Sequence, residues 1–473
     1  MVQTPPAEHT VGMDERERAL GAARSAALEF LAGLDDRPVW PRATLDDMLA
    51  EFGGPLADTG VDAETLVTDL AARATPGLVG IPGGRFFGFV IGGTLPAALA
   101  ADWLVSAWDQ NSGSSTMTTA TVALERIAGA WICDLLGLPA TASVGFVTGA
   151  QMSNWVCLSI AQHAVLRRAG WDLTRAGLRG APPVRVIVGA HRHGSIDRAL
   201  RFCGIGADEI TVVPADAEGR MLPAGLVAAL AGASGIPTIV CLQAGEVHTG
   251  AFDPVAELVP LAKEHGVWVH IDGAFGLWAA ASPALHHLTD GIGGADSWTT
   301  DAHKTLNVPY DCGMAIVRDP ADSIAMFRTG GDYLVFTSLD PWDVTPELSR
   351  RARGVPVWAA LRSLGREGAA ALVDRLHANA RRLEAGLGRV PGITVVHEVV
   401  YTQVMFRLDD DDATRALGAA ILADGTAALT GAEWDGHPTL RCSMSSWATT
   451  EDDIDRTVAA IARLAEEQVS RGS

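Results

Sequence analysis

Val267-Trp-Val-His-Ile-Asp-Gly-Ala-Phe-Gly276 is the stretch on which the fold turns. Val267–Ile271 is a short, largely apolar run with three β-branched residues, too brief for a helix and bounded by Gly266 and Gly273. Such a run reads as a strand buried on both faces. Just upstream, Val255–His265 has helical periodicity, and before it Thr238–Leu242 repeats the strand pattern. Further out the alternation continues. Strand-like runs lie at Ser143–Val147, Val184–Val188, Glu209–Val213 and Met314–Val317, with helical stretches at Met152–Arg168, Ile196–Phe202 and Ala224–Leu230. This order predicts an α/β fold built on a mainly parallel sheet. Ligands of such sheets gather at the C-terminal ends of the strands, where Asp272 stands.

The flanks read differently. From about Asp14 to Gly77 only helical signals occur: Ala19–Leu34, then a second helix from Thr44 with Asp46 and Asp47 in its first turn. After Pro356 come helical patterns at Trp358–Leu364 and Gly368–Leu387. Strand-like runs at Ile393–Glu398, Gln403–Leu408 and Thr439–Met444 and a last helix, Glu451–Gln468, complete a small α+β lobe. The acidic run Asp409–Asp412 reads as a solvated turn. The expected organisation is a helical arm over residues 1–80, a large domain over 81–350 and a small domain over 351–473.

Composition narrows the function. With 48% hydrophobic and 19% charged residues in 473, a large core is affordable and disorder is not expected. A net charge of −20 argues against nucleic acid and anionic membrane as partners. No apolar run is long enough to span a bilayer, and the first residues lack the basic-then-apolar order of a secretory signal. Six cysteines without metal-ligand or CxxC spacing read as buried reduced thiols, so a cytoplasmic protein without a metal is expected.

One count points to chemistry. Of 36 basic residues only two are lysines, Lys263 and Lys304. Arginine serves wherever charge alone is needed, but it cannot form a Schiff base. Lys263 falls near the end of an amphipathic helix, where a cation suits the helix dipole. Lys304 follows His303 in Ser297-Trp-Thr-Thr-Asp-Ala-His-Lys-Thr-Leu-Asn-Val-Pro-Tyr-Asp-Cys-Gly313, a stretch without helical amphipathicity. Pyridoxal phosphate needs a lysine on its aldehyde and a carboxylate on its pyridine nitrogen, the pair that Lys304 and Asp272 supply. A phosphate cradle is available in Thr148-Gly-Ala-Gln-Met-Ser-Asn154, which follows a strand and opens a helix. His193, in His191-Arg-His-Gly-Ser195, can stack on a cofactor ring.

These residues, in this order, resemble the group II pyridoxal-phosphate-dependent amino-acid decarboxylases. Further stretches carry the resemblance: Arg85-Phe-Phe-Gly-Phe89, Thr249-Gly-Ala-Phe-Asp-Pro254, His270-Ile-Asp-Gly-Ala274, Asn307–Gly313, Ser349-Arg-Arg-Ala-Arg353 with Trp358, and Thr439-Leu-Arg-Cys-Ser443. The resemblance covers about residues 20–465. It implies a fold-type I architecture with a seven-stranded large domain, and a homodimer with active sites at the interface. It implies decarboxylation of an L-amino acid to the amine and CO2. It also implies roles: Lys304 for the Schiff base, Asp272 for the pyridine nitrogen, and Ala274 and His193 on the two ring faces. Ala150 and Gln151 would give amides to the phosphate with His303 beside it, and Phe86, Phe87 and Phe89 would wall the substrate pocket.

Four departures from the family pattern bear on the reaction. Glu246 stands where a small polar residue is usual; facing the cofactor it would be protonated or paired, and facing outward it would be a loop glutamate. Arg192 is a candidate partner for Glu246 or for a substrate carboxylate. Of three tyrosines, only Tyr333 lies in the segment matching the loop whose tyrosine protonates the substrate carbon after CO2 leaves. Relatives without that donor form aldehydes. The stretch Phe89-Val-Ile-Gly-Gly93 lacks the family's Tyr-Phe-Pro pattern, so the sequence does not point to an aromatic substrate. Aldehyde formation, carbon–carbon lyase and transaminase chemistry, and a non-catalytic cofactor-binding protein remain alternatives.

Overall fold

The computed structural model describes residues 8–231, 235–328 and 339–472, with side chains described from residue 14 to residue 468. Its larger sheet has seven strands: β1 (Ser143–Val147), β2 (Arg185–Gly189), β3 (Ile210–Val213), β4 (Thr238–Gln243), β5 (Trp268–Asp272), β6 (Ser297–Asp301) and β7 (Gly313–Val317). Their order is β1-β7-β6-β5-β4-β2-β3. β7 runs antiparallel to both neighbours, and every other pairing is parallel. Apolar clusters fill both faces, as the continuous apolar strands require. The register places Gln243 beside Asp272, Asp272 beside Thr299, and Asp301 beside Gly313. The C-terminal ends of β4, β5 and β6 therefore share one edge.

Ser297–Asp301, which has no apolar run to mark it as a strand, forms β6. Its residues Ser-Trp-Thr-Thr-Asp are all buried at the sheet centre. Hydrogen bonds make that possible. Ser297 Oγ accepts from Trp268 Nε1 at 2.9 Å and lies 3.0 Å from His270 Nδ1; Thr299 Oγ1 lies 2.9 Å from Ser153 Oγ. Paired polar groups survive burial where unpaired ones would cost about 1–3 kcal/mol each.

A second, antiparallel sheet orders β10 (Thr430–Trp434), β11 (His437–Ser443), β9 (Gln403–Leu408) and β8 (Ile393–Val395). Helices Asp411–Asp424 and Glu451–Gly472 accompany it. The acidic run is the start of the first of these: Asp410 caps the helix by accepting from Ala413 N, and Asp411 and Asp412 occupy its first turn. The long helix Gly354–Leu387 breaks at Gly365, whose φ of +62° separates the two expected segments. Residues 86–87 join this lobe, since Phe87 N donates to Ala428 O and Phe87 O accepts from Ser443 N. Buried Arg350 grips Glu125 through two bonds, of 2.6 and 3.2 Å, and also donates to Ser112 O and Phe146 O.

At the N-terminal end lie helices Glu8–Ala32, Leu45–Phe52 and Ala63–Ala74. Thr44 caps the second in a reciprocal capping box with Asp47. Neither Leu45–Phe52 nor Ala63–Ala74 buries a single residue. Among the described residues no helix is long and apolar enough to cross a membrane.

Candidate functional site

The shared edge of β4, β5 and β6 assembles the site. Asp272 is buried there. Its Oδ2 accepts from Asn154 Nδ2 at 2.9 Å and its Oδ1 from Ala274 N at 3.2 Å. Asn154 also donates to Ser195 Oγ at 3.1 Å, and its Oδ1 lies 2.9 Å from His270 Nε2. Ser195 Oγ is 2.8 Å from His193 Nδ1, which also accepts from Ser195 N at 3.2 Å. With Nδ1 an acceptor, and burial holding the His193 ring below its usual pKa, the neutral ring carries its proton on Nε2. His270 is likewise neutral, pushed down to about 4 by burial. A continuous set of hydrogen bonds thus runs from buried Asp272 through Asn154 and Ser195 to His193 Nδ1.

His193 caps the helix Gly194–Phe202, and its backbone N donates to Gln243 Oε1 at 3.2 Å. Gln243 Nε2 donates to His191 O at 3.0 Å. Buried Asp253 accepts from the backbone N of Gln243 and of Met221, which pins the loops together.

Lys304 lies just past β6. Its Nζ is 3.1 Å from Asp301 Oδ2, and His303 Nε2 is 3.5 Å from the same oxygen. Asp301 Oδ1 is buried without a hydrogen-bond partner. His303 Nδ1 accepts from Cys312 N at 3.2 Å, and Tyr310 stacks on the His303 ring with centroids 4.3 Å apart. Asn307 ties the lysine loop to its surroundings from a left-handed backbone, φ +56°. Its Oδ1 accepts from Gly93 N and Trp447 N, and its Nδ2 donates to Thr305 O and Ser445 O.

Pyridoxal phosphate fits these residues. The helix Ala150–Arg168 begins at Gly149 with no side chain capping its first N–H groups, which leaves those of Ala150 and Gln151 free for a phosphate. A Cβ on Gly149 would sit 3.2 Å from His303 Cε1 and fill the space beside that ring. Asp272 offers a carboxylate with a fixed orientation, and Lys304 an amine.

Other expected residues fall elsewhere. Lys263 pairs with Asp296 at 2.7 Å, a structural contact. Arg192 pairs with Asp197 at 2.7 Å rather than with Glu246. Phe86 and Phe87 are packed into apolar clusters of the arm and the small lobe, so they do not wall an open pocket. Phe89 alone of the three is exposed. Glu246 faces neither outward nor Arg192. It is buried, and its Oε2 accepts from the backbone N of His248 and Thr249 and from Thr249 Oγ1. Burial pushes it up to about 7. Nearby, Arg441 Nη1 donates to Val247 O at 2.8 Å, and Trp434 touches the rings of both His191 and His248. Tyr333 lies outside the described residues. Sequence reading overlooked the parts played by Asn154, His270, Ser195 and Asp301. All four lie within stretches quoted from the sequence, but the bonds joining Asn154 to Asp272, His270 and Ser195 are between residues distant in it.

Comparisons with known proteins agree with this geometry. The conserved domain of pyridoxal-dependent decarboxylases matches residues 52–409. The chain is 31% identical over 386 residues to an L-2,4-diaminobutyrate decarboxylase of Rhizobium meliloti (strain 1021), covering 78% of this chain and 75% of that one. It is 28% identical to the cysteine sulfinic acid decarboxylase of Mus musculus, where the match covers 68% of this chain and 66% of the relative. An aromatic-L-amino-acid decarboxylase of Bacillus atrophaeus is 26% identical over 96% of both chains. In fold, the crystal structure of Oryza sativa TDC with PLP and tryptamine superposes with a TM-score of 0.89 at 23% identity, over 99% of both chains. Mouse CSAD gives 0.88 at 22% identity, over 96% of this chain and 99% of that one. A match over three quarters of the sequence, and the fit of the site to its cofactor, make this chain a member of the pyridoxal-dependent decarboxylase family.

Proposed function

We propose that this chain removes the α-carboxylate of an L-amino acid as CO2, with Lys304 carrying the cofactor and Asp272 holding the charge of its pyridine nitrogen. The observation that supports this most directly is the Asp272–Asn154–Ser195–His193 network, set on the same edge as the amine of Lys304. Pyridoxal phosphate, when bound, supplies an electron sink for the pair left behind by departing CO2. The chain's own residues do the rest. Asn154 and the Ala274 amide keep the Asp272 carboxylate oriented by donating to both its oxygens. Ser195 fixes the tautomer of His193, leaving its N–H on Nε2. The first amides of the Ala150–Arg168 helix, with His303 beside them, receive the phosphate. Phe89 and the Glu246–Arg441 loop region are the proposed substrate side. Tyr333 is the proposed proton donor to the substrate carbon, on the support of sequence alone. The wild-type enzyme should release amine with little aldehyde or H2O2, and Tyr333→Phe should raise both.

The working form is proposed to be a homodimer with sites at its interface. The N-terminal helices support this: Leu45, Leu49, Leu66 and Leu70 are exposed on helices in which no residue is fully buried. Ala63–Ala74 packs on Glu8–Ala32, but apolar side chains left on the outer faces of such short helices call for a second surface. Sedimentation should therefore show a dimer. Six buried, unpaired cysteines support a reducing, cytoplasmic setting.

The test is a screen of the twenty amino acids plus L-2,4-diaminobutyrate and cysteine sulfinate, following CO2 and H2O2 together. CO2 without H2O2 is expected for one class of substrate. H2O2 and aldehyde as main products would overturn the decarboxylase reading for this chain.

A further inference from the structure

Asp301 is the charged group at the site that the proposed chemistry does not use. Its side chain is nearly fully buried at the end of β6. Its backbone is held on both sides, with N donating to Ala274 O at 2.8 Å and O accepting from Trp278 Nε1 at 3.1 Å. Gly313 and Gly149 frame Oδ1; a Cβ on Gly313 would lie 2.8 Å from it and a Cβ on Gly149 3.7 Å from it. The carboxylate is therefore fixed in place. One oxygen meets Lys304 Nζ at 3.1 Å, and the other has no hydrogen-bond partner. Nothing in this arrangement is needed to hold β6, which pairs with β7 along all five residues, Asp301 included, and with β5 from Ser297 to Thr299. The second lysine shows the contrast: Lys263 sits in a partly exposed pair and bonds both oxygens of Asp296, which in turn accepts from Val269 N.

A lysine that carries pyridoxal phosphate is displaced in every turnover. The substrate's amine takes its place on the cofactor carbon, and the proton shed by the substrate's ammonium ends on the departing Nζ. The lysine then needs a site that accepts an ammonium ion. We propose that Asp301 is that site: the carboxylate receives the displaced amine of Lys304 and holds it as an ion pair until product release lets it return. The inference rests on the assignment of Lys304 as the cofactor-carrying lysine. Asp301 thus stabilises the state in which another amine occupies the cofactor, and disfavours the lysine-linked state. The titratable groups facing the pair are His303, which also feels Asp311, and His193, which also feels Asp272; burial keeps both rings below their usual pKa. Neutral His303 leaves Asp301 as the anion in direct contact with the ammonium.

Displacement by methylamine tests this. Holoenzyme is equilibrated with increasing methylamine and reduced with borohydride, and the fraction of Lys304 peptide bearing the cofactor is measured by mass spectrometry. Asp301→Asn keeps the shape and removes the charge; Asp301→Ser removes the contact as well. A charge-assisted hydrogen bond corresponds to about 10- to 100-fold in such an equilibrium. Both variants should therefore need about 10- to 100-fold more methylamine for half-displacement. A merely structural role would lower the cofactor content and leave the half-displacement point of the loaded fraction where it was. Half-displacement within about threefold of wild type in both variants, with the tag still on Lys304, would overturn the role of Asp301 alone. A tag on Lys263 would overturn the assignment of Lys304 and this proposal with it.

Discussion

Asn154→Ala removes the junction of the buried network. Three bonds go: 2.9 Å to Asp272, 3.1 Å to Ser195, and 2.9 Å to His270. Both Asn154 and His270 are fully buried. The stranded Nε2–H of His270 costs about 1–3 kcal/mol, and the lost charge-assisted bond of Asp272 about 1.5–3 kcal/mol. Water entering the polar space left by the amide returns part of this. The net loss of stability should be about 3 kcal/mol, read as a shift of the urea midpoint of the cofactor-free protein at unchanged slope. Turnover should fall further than stability explains, by about 10- to 100-fold, because Asp272 and Ser195 both lose the group that orients them. Asn154→Asp is the informative companion. A carboxyl 2.9 Å from Asp272 cannot share its ionised state, so one of the two takes up a proton and the defect grows as pH rises. Stability within about 0.5 kcal/mol of wild type together with wild-type turnover in Asn154→Ala would refute the network as the support of the site.

Four further outcomes are expected. Lys304→Arg keeps its pairing with Asp301 and the fold, yet should lose the visible absorption of the lysine-linked cofactor and all turnover. Asp272→Asn should retain the cofactor while losing about 10²-fold or more in rate, the scale of a lost preorganised charge. Glu246 has its folded-state pKa raised from 4.5 to about 7 by burial, so the native state holds a proton that the unfolded chain releases earlier. Its contribution is present at low pH and is lost as pH rises from about 4.5 through about 7, on the order of 3 kcal/mol; Glu246→Gln should flatten that slope in unfolding measured from pH 5 to 8. Arg350→Met leaves Glu125 buried without its partner and should destabilise by about 3–5 kcal/mol in chemical unfolding, and a Glu125→Gln, Arg350→Met pair should recover part of it.

The strands that carry the larger sheet were legible where their side chains were apolar. Trp268–Asp272 and Thr238–Gln243 announced themselves by composition, within a residue at each end. Ser297–Asp301 did not, because its burial is sustained by Ser297 and Thr299 bonding across to Trp268 and Ser153, and a pattern of apolar residues holds no trace of a partner 29 or 146 positions away. The same limit hid Asn154 and His270, whose roles exist only as contacts between β5 and a distant helix. Lys304 and Asp272 were visible as residue types whose chemistry few others supply. Glu246 was flagged as unusual, but its direction was not readable: whether a loop glutamate faces out or bonds its own backbone depends on the turn geometry of residues 246–249.

Asn307 has a mechanical consequence. One amide grips the lysine loop through Thr305, the segment leading into helix Pro96–Trp108 through Gly93, and the small lobe through Ser445 and Trp447. Three stretches far apart in sequence hinge on one small group three residues from Lys304. A tilt of the small lobe cannot leave the lysine's backbone behind; it carries the loop along or breaks bonds at Asn307. The reach of the lysine amine is in this sense a property of how the two lobes sit together, and a substituent wedged at that seam would be felt at the cofactor without touching it.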